Sequence, residues 1–120
     1  MANVLIVDDS STMRKIVTRA LRQAEFVLDE ILEAGDGIEG LAALDGNKID
    51  LILSDINMPN MDGIEFVKSV RSMGCKVPIV MISTEGGSDV VNNAIAVGAN
   101  DCIRKPFTPE QLKVKLGDFL

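Results

Sequence analysis

The sequence predicts an α/β fold with one doubly wound, five-stranded parallel sheet in the strand order 2-1-3-4-5 and five helices. Short apolar runs alternate with segments of helical periodicity along all 120 residues, which indicates repeated βαβ units. Linkers, repeats and low-complexity stretches are absent from the sequence, so we expect a single domain over residues 1–120. Right-handed crossovers and short connections favour the 2-1-3-4-5 order.

The first two strand signals lie in residues 4–7 and 28–32. The first is apolar and rich in β-branched side chains, as buried strands are, and it stops at Asp8 and Asp9. A helix that Ser10 or Ser11 would cap follows, with apolar residues at helical spacing. Residues 28–32 alternate apolar and acidic side chains, which is typical of an edge strand or a half-exposed strand. Asp36 and Glu39 then predict an N-cap and its capping-box partner on the surface, at the start of the second helix.

The third strand, residues 51–53, ends at Ser54 and Asp55, which places a carboxylate where the strand leaves the sheet. A Met-Pro-Asn loop over residues 58–60 breaks regular structure. Asp62 and Glu65 then predict the capped start of the third helix.

The last two strands also end in polar residues. Residues 79–82 run into Ser83, Thr84 and Glu85, and a strand near residues 102 and 103 leads to Lys105. The helix between them, about residues 88–97, is expected to face the core with Val91, Ala94 and Ile95. Residues 108–111, Thr-Pro-Glu-Gln, predict a capping box with a first-position proline for the last helix.

Composition excludes several classes of function. The chain has no His, which rules out Ser-His-Asp catalysis and His-ligated zinc within it. A net charge of −6 and the lack of Trp and Tyr argue against nucleic-acid binding and for a monomer. Cys75 and Cys102 are far apart in sequence and form no CxxC motif, so we expect two reduced thiols in a cytoplasmic protein. Neither a membrane-spanning run nor a basic secretory leader is present in the sequence, so we expect no membrane association.

The predicted topology brings Asp8, Asp9 and Asp55 to one crevice, because strands 1 and 3 flank its switch point. Three adjacent carboxylates repel one another, so such a cluster takes up protons or binds a cation. Oxygen ligands at a solvent-open edge suit Mg²⁺. We expect Asp9, Asp55 and the backbone carbonyl of Asn57 to bind it directly and Asp8 to act largely through water. The alternative for Asp8 and Asp9 is that they are solvated acids at the end of a strand.

Lys105 and Ser83 end the neighbouring strands at the same edge. A metal, a lysine and a hydroxyl around a carboxylate fit phosphoryl transfer, in which catalysis is positioning and charge neutralisation. Asp55 would then be the nucleophile and would carry the product as an aspartyl phosphate. On its own, a lysine before a proline is more often a solvated surface residue.

Four motifs resemble those of bacterial response-regulator receiver domains, especially the stand-alone chemotaxis members. They are DDSSTMRKIV from Asp8, SDINMPNMDG from Ser54, MISTE from Met81 and KPFT from Lys105. The resemblance implies a flavodoxin-like receiver fold without an output domain and phosphorylation of Asp55 by the phosphohistidine of a histidine kinase. It also implies that Ser83 is the hydroxyl switch residue and that Lys105, followed by a cis bond to Pro106, binds the phosphate.

The resemblance further implies that Asn57 and Glu85 tune how fast the phosphoryl group is lost, in the direction of a short-lived signal. Thr84 is bulkier than the alanine common at its position and would hinder access. Cys102 departs from the family, because many receivers have there a Tyr or Phe that turns inward on activation. We expect a packing residue there rather than a reactive thiol.

The output would be a population shift that alters the last two helices and the fifth strand for binding a downstream protein. A flagellar motor switch protein is one candidate, a phosphatase is a further expected partner, and a non-chemotaxis two-component circuit is an alternative. We expect a phosphoacceptor switch, not an enzyme: its chemistry would be its own phosphorylation from donors and its own dephosphorylation. A haloacid-dehalogenase-like phosphohydrolase is a rival, but it would need an acid where Asn57 stands. The other rival is a receiver-like adaptor that is never phosphorylated.

Overall fold

The computed structural model describes residues 2–84 and 87–120, and within them five strands alternate with five helices. The elements are β1 (Ala2–Val7), α1 (Ser11–Gln23), β2 (Leu28–Ala34), α2 (Gly37–Leu44), β3 (Leu51–Ser54), α3 (Gly63–Ser72), β4 (Ile79–Ser83), α4 (Ser88–Ala96), β5 (Asp101–Arg104) and α5 (Pro109–Leu116). All strand pairs are parallel and the order is β2-β1-β3-β4-β5. The predicted fold class and strand order are therefore confirmed.

The sheet is buried on both faces, since alternate residues of its strands enter two separate cores. In β1, Val4 and Ile6 pack with residues of α1 and α5, whereas Leu5 and Val7 pack with residues of α3 and α4. Phe66 of α3 is the largest fully buried side chain. Among residues 2–84 and 87–120, no helix is long and apolar enough to cross a membrane.

Backbone pairing fixes the strand ends that carry the candidate site. Val7 is in register with Ser54, and the N–H of Asp55 donates to the Val7 carbonyl at 2.9 Å. The acids that follow β1 and β3 are therefore neighbours. At the same carboxyl edge, between β4 and β5, the Lys105 N–H donates to the Ser83 carbonyl at 2.8 Å, which sets the start of the loop after β5.

The start of α2 differs from the prediction in two details. Asp36 caps α2 by accepting from the Glu39 N–H, but the Glu39 carboxylate accepts from Gly35 instead of closing a box on Asp36. The expectation that Asp36 is a surface acid is also wrong, because its carboxyl is buried and hydrogen-bonded to Asn60 across a loop. The capping box of α5, from Thr108 to Gln111, forms as predicted.

Helix α4 contributes less to the core than its apolar sequence predicted. Ala94 is its buried residue, Val91 is half-buried, and Ile95 is 44% exposed. Ile95 was expected to face inward and does not, because α4 packs on the sheet through a narrow stripe. Ile95 is therefore available at the surface.

At the amino-terminal edge of the sheet, Arg71 of α3 connects three segments. Its guanidinium donates to the carbonyls of Gly98, Cys75 and Val77 and to the side-chain oxygen of Asn100, all at 2.8–3.1 Å. The same Asn100 oxygen accepts from the Ile79 N–H at the start of β4. Arg71 thus stabilises the strand starts farthest from the acidic residues.

Candidate functional site

Asp8, Asp9 and Asp55 meet at the carboxyl edge of the sheet, as predicted. One carboxylate oxygen from each lies within 4.8 Å of the others. Asp8 is buried, Asp55 is half-buried and Asp9 is exposed, so the cluster opens to solvent on the Asp9 side. The Asp9 side therefore offers an approach to Asp55 from solvent.

Lys105 faces two of these acids. Its Nζ lies 3.2 Å from Asp8 Oδ2 and 3.6 Å from Asp55 Oδ2, and its side chain is only 12% exposed. The Lys105–Pro106 peptide bond is cis, as expected. Ser83, one strand away, is buried at the end of β4. The structure therefore brings together an acid cluster and one amine, and Ser83 ends the strand next to that of Asp55.

The sequence model of the response regulator receiver domain matches residues 4–117. The chain belongs to this family. The receiver domain is 45% identical over 116 residues to chemotaxis protein CheY1 of Helicobacter pylori, a match that covers 94% of this chain and 92% of the relative. It is also similar to the solved structure of chemotaxis response regulator CheY4 of Vibrio cholerae, with 42% identity, a TM-score of 0.87 and coverage of 100% and 99%. A complex of CheX and CheY with BeF3 and Mg²⁺ from Borrelia burgdorferi contains a chain 30% identical to this one, with a TM-score of 0.87 and coverage of 99% and 90%.

Burial of the receiver domain's central acid raises the pKa of Asp55 above its ordinary value. Lys105 and a hydrogen bond from the Ile56 N–H oppose this rise, whereas the charges of Asp8 and Asp9 add to it. The ionised form of Asp55 is therefore held at a free-energy cost that a bound cation would relieve.

The donor set fits Mg²⁺. Three carboxylates against one ammonium leave an excess of negative charge, and all the candidate ligands are hard oxygen donors at an edge open to water. Asn57 is exposed two residues after Asp55, at the same edge. Asp9, Asp55 and the Asn57 carbonyl would hold the ion, with Asp8 acting through water.

Two glycines determine the path of the loop between β3 and α3. A Cβ at Gly63 would lie 2.2 Å from the Asp55 carbonyl oxygen, and a Cβ at Gly37 would lie 2.6 Å from Met61 Cγ. The Gly63 N–H donates to the Ile56 carbonyl at 2.7 Å, and the Gly37 N–H donates to that of Met61 at 3.2 Å. The loop after Asp55 is therefore packed against both its own helix and the start of α2.

Sequence reasoning missed the connection from Asp36 to this loop. Asp36 Oδ2 accepts from the Asn60 side chain at 2.8 Å, while Oδ1 caps α2. These hydrogen bonds lower the pKa of Asp36. Asn60 adopts a φ of +65°, a left-handed conformation that Asn tolerates better than most residues. A Pro-Asn pair in the loop was the available signal, and it indicated a turn without indicating its partner.

Arg14 is the second residue whose contacts were not anticipated. Its Nη1 donates to the Asp8 carbonyl at 2.6 Å, and its Nε donates to Glu33 Oε1 at 2.8 Å. The sequence showed only a basic residue off the apolar face of α1, because nothing local indicates contact with β2.

The remaining predicted residues lie around the cluster. Thr84 is exposed after Ser83, and Glu85 falls outside the described residues. Cys102 is half-buried, and burial together with the charge of Asp101 raises the pKa of its thiol, which disfavours the thiolate form that reacts. It lines a groove of about 900 Å³ between β5 and α5, together with Arg104, Gln111 and Val114.

Proposed function

We propose that this receiver domain is a phosphorylation-dependent switch of a two-component circuit, that Asp55 is its phosphoacceptor, and that the circuit controls chemotaxis. The observation that carries the proposal is the position of Asp55, whose carboxylate lies within 4.8 Å of two other acids and 3.6 Å from the amine of Lys105. Relatives named as chemotaxis proteins, at 44–45% identity over nearly the whole chain, support the choice of circuit.

The donor would be a phosphohistidine of a partner histidine kinase. An oxygen of the ionised Asp55 carboxylate attacks phosphorus, a P–O bond forms and the P–N bond to the histidine breaks, after which the imidazole nitrogen takes up a proton. The hydrogen bond from Ile56 to Asp55 Oδ1 orients the carboxylate for this attack. A chain without His depends on another protein for this donor.

Charge neutralisation is the main contribution of the surrounding residues. Mg²⁺, when bound, supplies positive charge beside the transferred group. Lys105 already lies between Asp8 and Asp55, so its amine can follow the charge as it moves onto phosphate oxygens. Ser83 offers its hydroxyl from the end of β4.

The signal ends when water attacks the acyl phosphate, which releases inorganic phosphate and restores the Asp55 carboxylate. Asn57 and Thr84 are both exposed at the approach to the site, and their size and polarity would set how readily water reaches the phosphorus. Because the only turnover is of its own phosphoryl group, the protein acts as a switch, not as an enzyme on other substrates.

The output surface would comprise α4, β5 and α5, which follow Ser83 and Lys105 in the chain. Ile95 and Val114 are large apolar side chains exposed on these helices, at 44% and 80%. Since Cys102 cannot make the rotation of an aromatic ring, Ser83 and Lys105 would reshape this surface through the backbone. The protein would act as a cytoplasmic monomer that binds a downstream effector, such as a motor switch protein, and a phosphatase.

Incubation with Mg²⁺ and acetyl phosphate, followed by intact-mass measurement, tests this proposal. We expect one added phosphoryl group that decays with time, none with excess chelator and none in Asp55→Asn. Asp62→Asn is the matched control, because this acid lies in the same loop and caps α3, a role that Asn also fills. Turnover of phosphate monoesters, which a switch that only loses its own phosphoryl group would not hydrolyse, would instead indicate a phosphohydrolase, and no reaction with acetyl phosphate would indicate an adaptor.

A pull-down from cell extract, with and without acetyl phosphate, tests the circuit. Enrichment of flagellar motor proteins by the phosphorylated form would support chemotaxis. Enrichment of proteins of another pathway would refute the chemotaxis assignment and leave phosphorylation of Asp55 intact.

A further inference from the structure

We propose that Arg14 is a positioning residue that holds the backbone of Asp8 so that the carboxylate of Asp9 faces the Mg²⁺ site. The inference rests on the proposed function, because it assigns Arg14 a role in metal binding at that site. Its basis is the 2.6 Å hydrogen bond from Arg14 Nη1 to the Asp8 carbonyl oxygen, which belongs to the peptide group that joins Asp8 to Asp9.

Asp8 is held at every polar atom. Its N–H donates to the Ala34 carbonyl at 3.0 Å, its Oδ1 accepts from the Ser10 N–H at 2.9 Å, and its Oδ2 accepts from Lys105 at 3.2 Å. Its carbonyl oxygen accepts from Arg14. Asp9, in contrast, is exposed, so the orientation of its carboxylate depends strongly on the peptide group that precedes it.

Arg14 can restrain that peptide because its own guanidinium is held on a second side. Its Nε donates to Glu33 Oε1 at 2.8 Å, at the end of edge strand β2, and its side chain is 19% exposed. The rigid fork of a guanidinium serves both acceptors at once, which a lysine amine on a flexible stem does less well. The contact therefore connects α1 and β2 above the end of β1.

The charge of Arg14 and its geometry predict opposite effects on metal affinity. A cation beside three acids repels Mg²⁺, so removal of its charge alone would strengthen binding. Loss of the hydrogen bond would release the Asp8–Asp9 peptide and weaken binding. The direction of the change in affinity therefore separates a positioning role from an electrostatic one.

The test is calorimetric titration of Mg²⁺ into the metal-free protein and its variants. We expect Arg14→Gln to raise the Mg²⁺ dissociation constant by about tenfold, as loss of groups that orient metal ligands commonly does. Arg14→Lys should weaken binding by roughly threefold, because a lysine would restore only part of the restraint. Lys15→Gln is the matched control: it removes an exposed charge from the same turn and should change affinity by less than about twofold.

Arg71→Ala controls for destabilisation, since it weakens the opposite edge of the sheet and should leave Mg²⁺ affinity unchanged when the protein is folded. Unchanged or tighter binding by Arg14→Gln would overturn the inference while the proposed function stands. If Arg14→Gln does not fold, unchanged affinity in Arg14→Lys overturns the inference and weaker affinity supports it. A wild-type protein that binds no Mg²⁺ would overturn both proposals.

Discussion

Replacing the phosphoacceptor should make the metal-free protein more stable. In Asp55→Asn the residue keeps its shape, and Oδ1 can still accept from the Ile56 N–H. The variant loses a half-buried charge that faces two like charges within 4.8 Å. Lys105 keeps its hydrogen bond to Asp8, so no buried amine is left without a partner.

The size of the gain follows from the distances. At an effective dielectric constant of about 20, unit charges 4.8 Å apart interact by about 3.5 kcal/mol, and those 3.6 Å apart by about 4.6 kcal/mol. Burial of the Asp55 charge is the largest cost, the repulsions from Asp8 and Asp9 add to it, and the attraction to Lys105 offsets part of the sum. Because water screens the exposed Asp9, we expect a net gain of about 1–2 kcal/mol in the free energy of unfolding, a size that such changes commonly give.

The gain should depend on pH. Folding raises the pKa of Asp55. At pH values above this raised pKa, the charge of Asp55 therefore has its full destabilising effect on the folded wild type. This effect disappears as the pH falls below the pKa of the unfolded chain, about 4. Urea unfolding followed by circular dichroism at about pH 7 and about pH 4 measures both points. Asp29→Asn is the control, because it removes the charge of an exposed residue of β2. No gain at neutral pH, or an equal gain at both pH values, would refute the reasoning.

Three further predictions follow from contacts described above. Arg71→Ala should lower the free energy of unfolding by about 2–4 kcal/mol in urea titrations, because four acceptors lose a charged donor; a loss below about 1 kcal/mol would contradict this. Gly63→Ala should lower the free energy of unfolding by at least about 2 kcal/mol and slow phosphorylation, because the added Cβ would clash with the Asp55 carbonyl. Gly46→Ala is the comparison: a Cβ there would meet open space, so the loss should be smaller even though Gly46 has a positive φ. Ser83→Ala should still be phosphorylated, as intact mass would show, but should recruit less effector in a pull-down; unchanged recruitment would mean that Ser83 does not couple phosphorylation to output.

Much of the fold could be predicted from the sequence because its signals are local. The apolar run at residues 4–7 and the acids after it need only strand periodicity and the rule that parallel strands end at one edge. The same rule predicts that Asp8, Asp55 and Lys105 lie together, and the distances confirm that they meet.

The rest depends on contacts between residues distant in sequence. Asn60 lies 24 residues from Asp36, and Glu33 lies 19 residues from Arg14. Because helix and strand periodicity relates only residues close in sequence, neither hydrogen bond could be predicted from it. The exposure of Ile95 was missed for a related reason: helical spacing identifies an apolar face but not how closely the helix approaches the sheet. Such features follow from packing in three dimensions.

The close packing at Gly37 and Gly63 has a consequence for how signal lifetime can vary. The backbone after Asp55 has little room to move, because the atoms packed against Gly37 and Gly63 lie too close for even a methyl group to be added there. Asn57 lies in that same loop and is exposed to solvent. Under the proposed function, substitutions at Asn57 would change the lifetime of the phosphorylated state while the packed backbone keeps the acceptor in place.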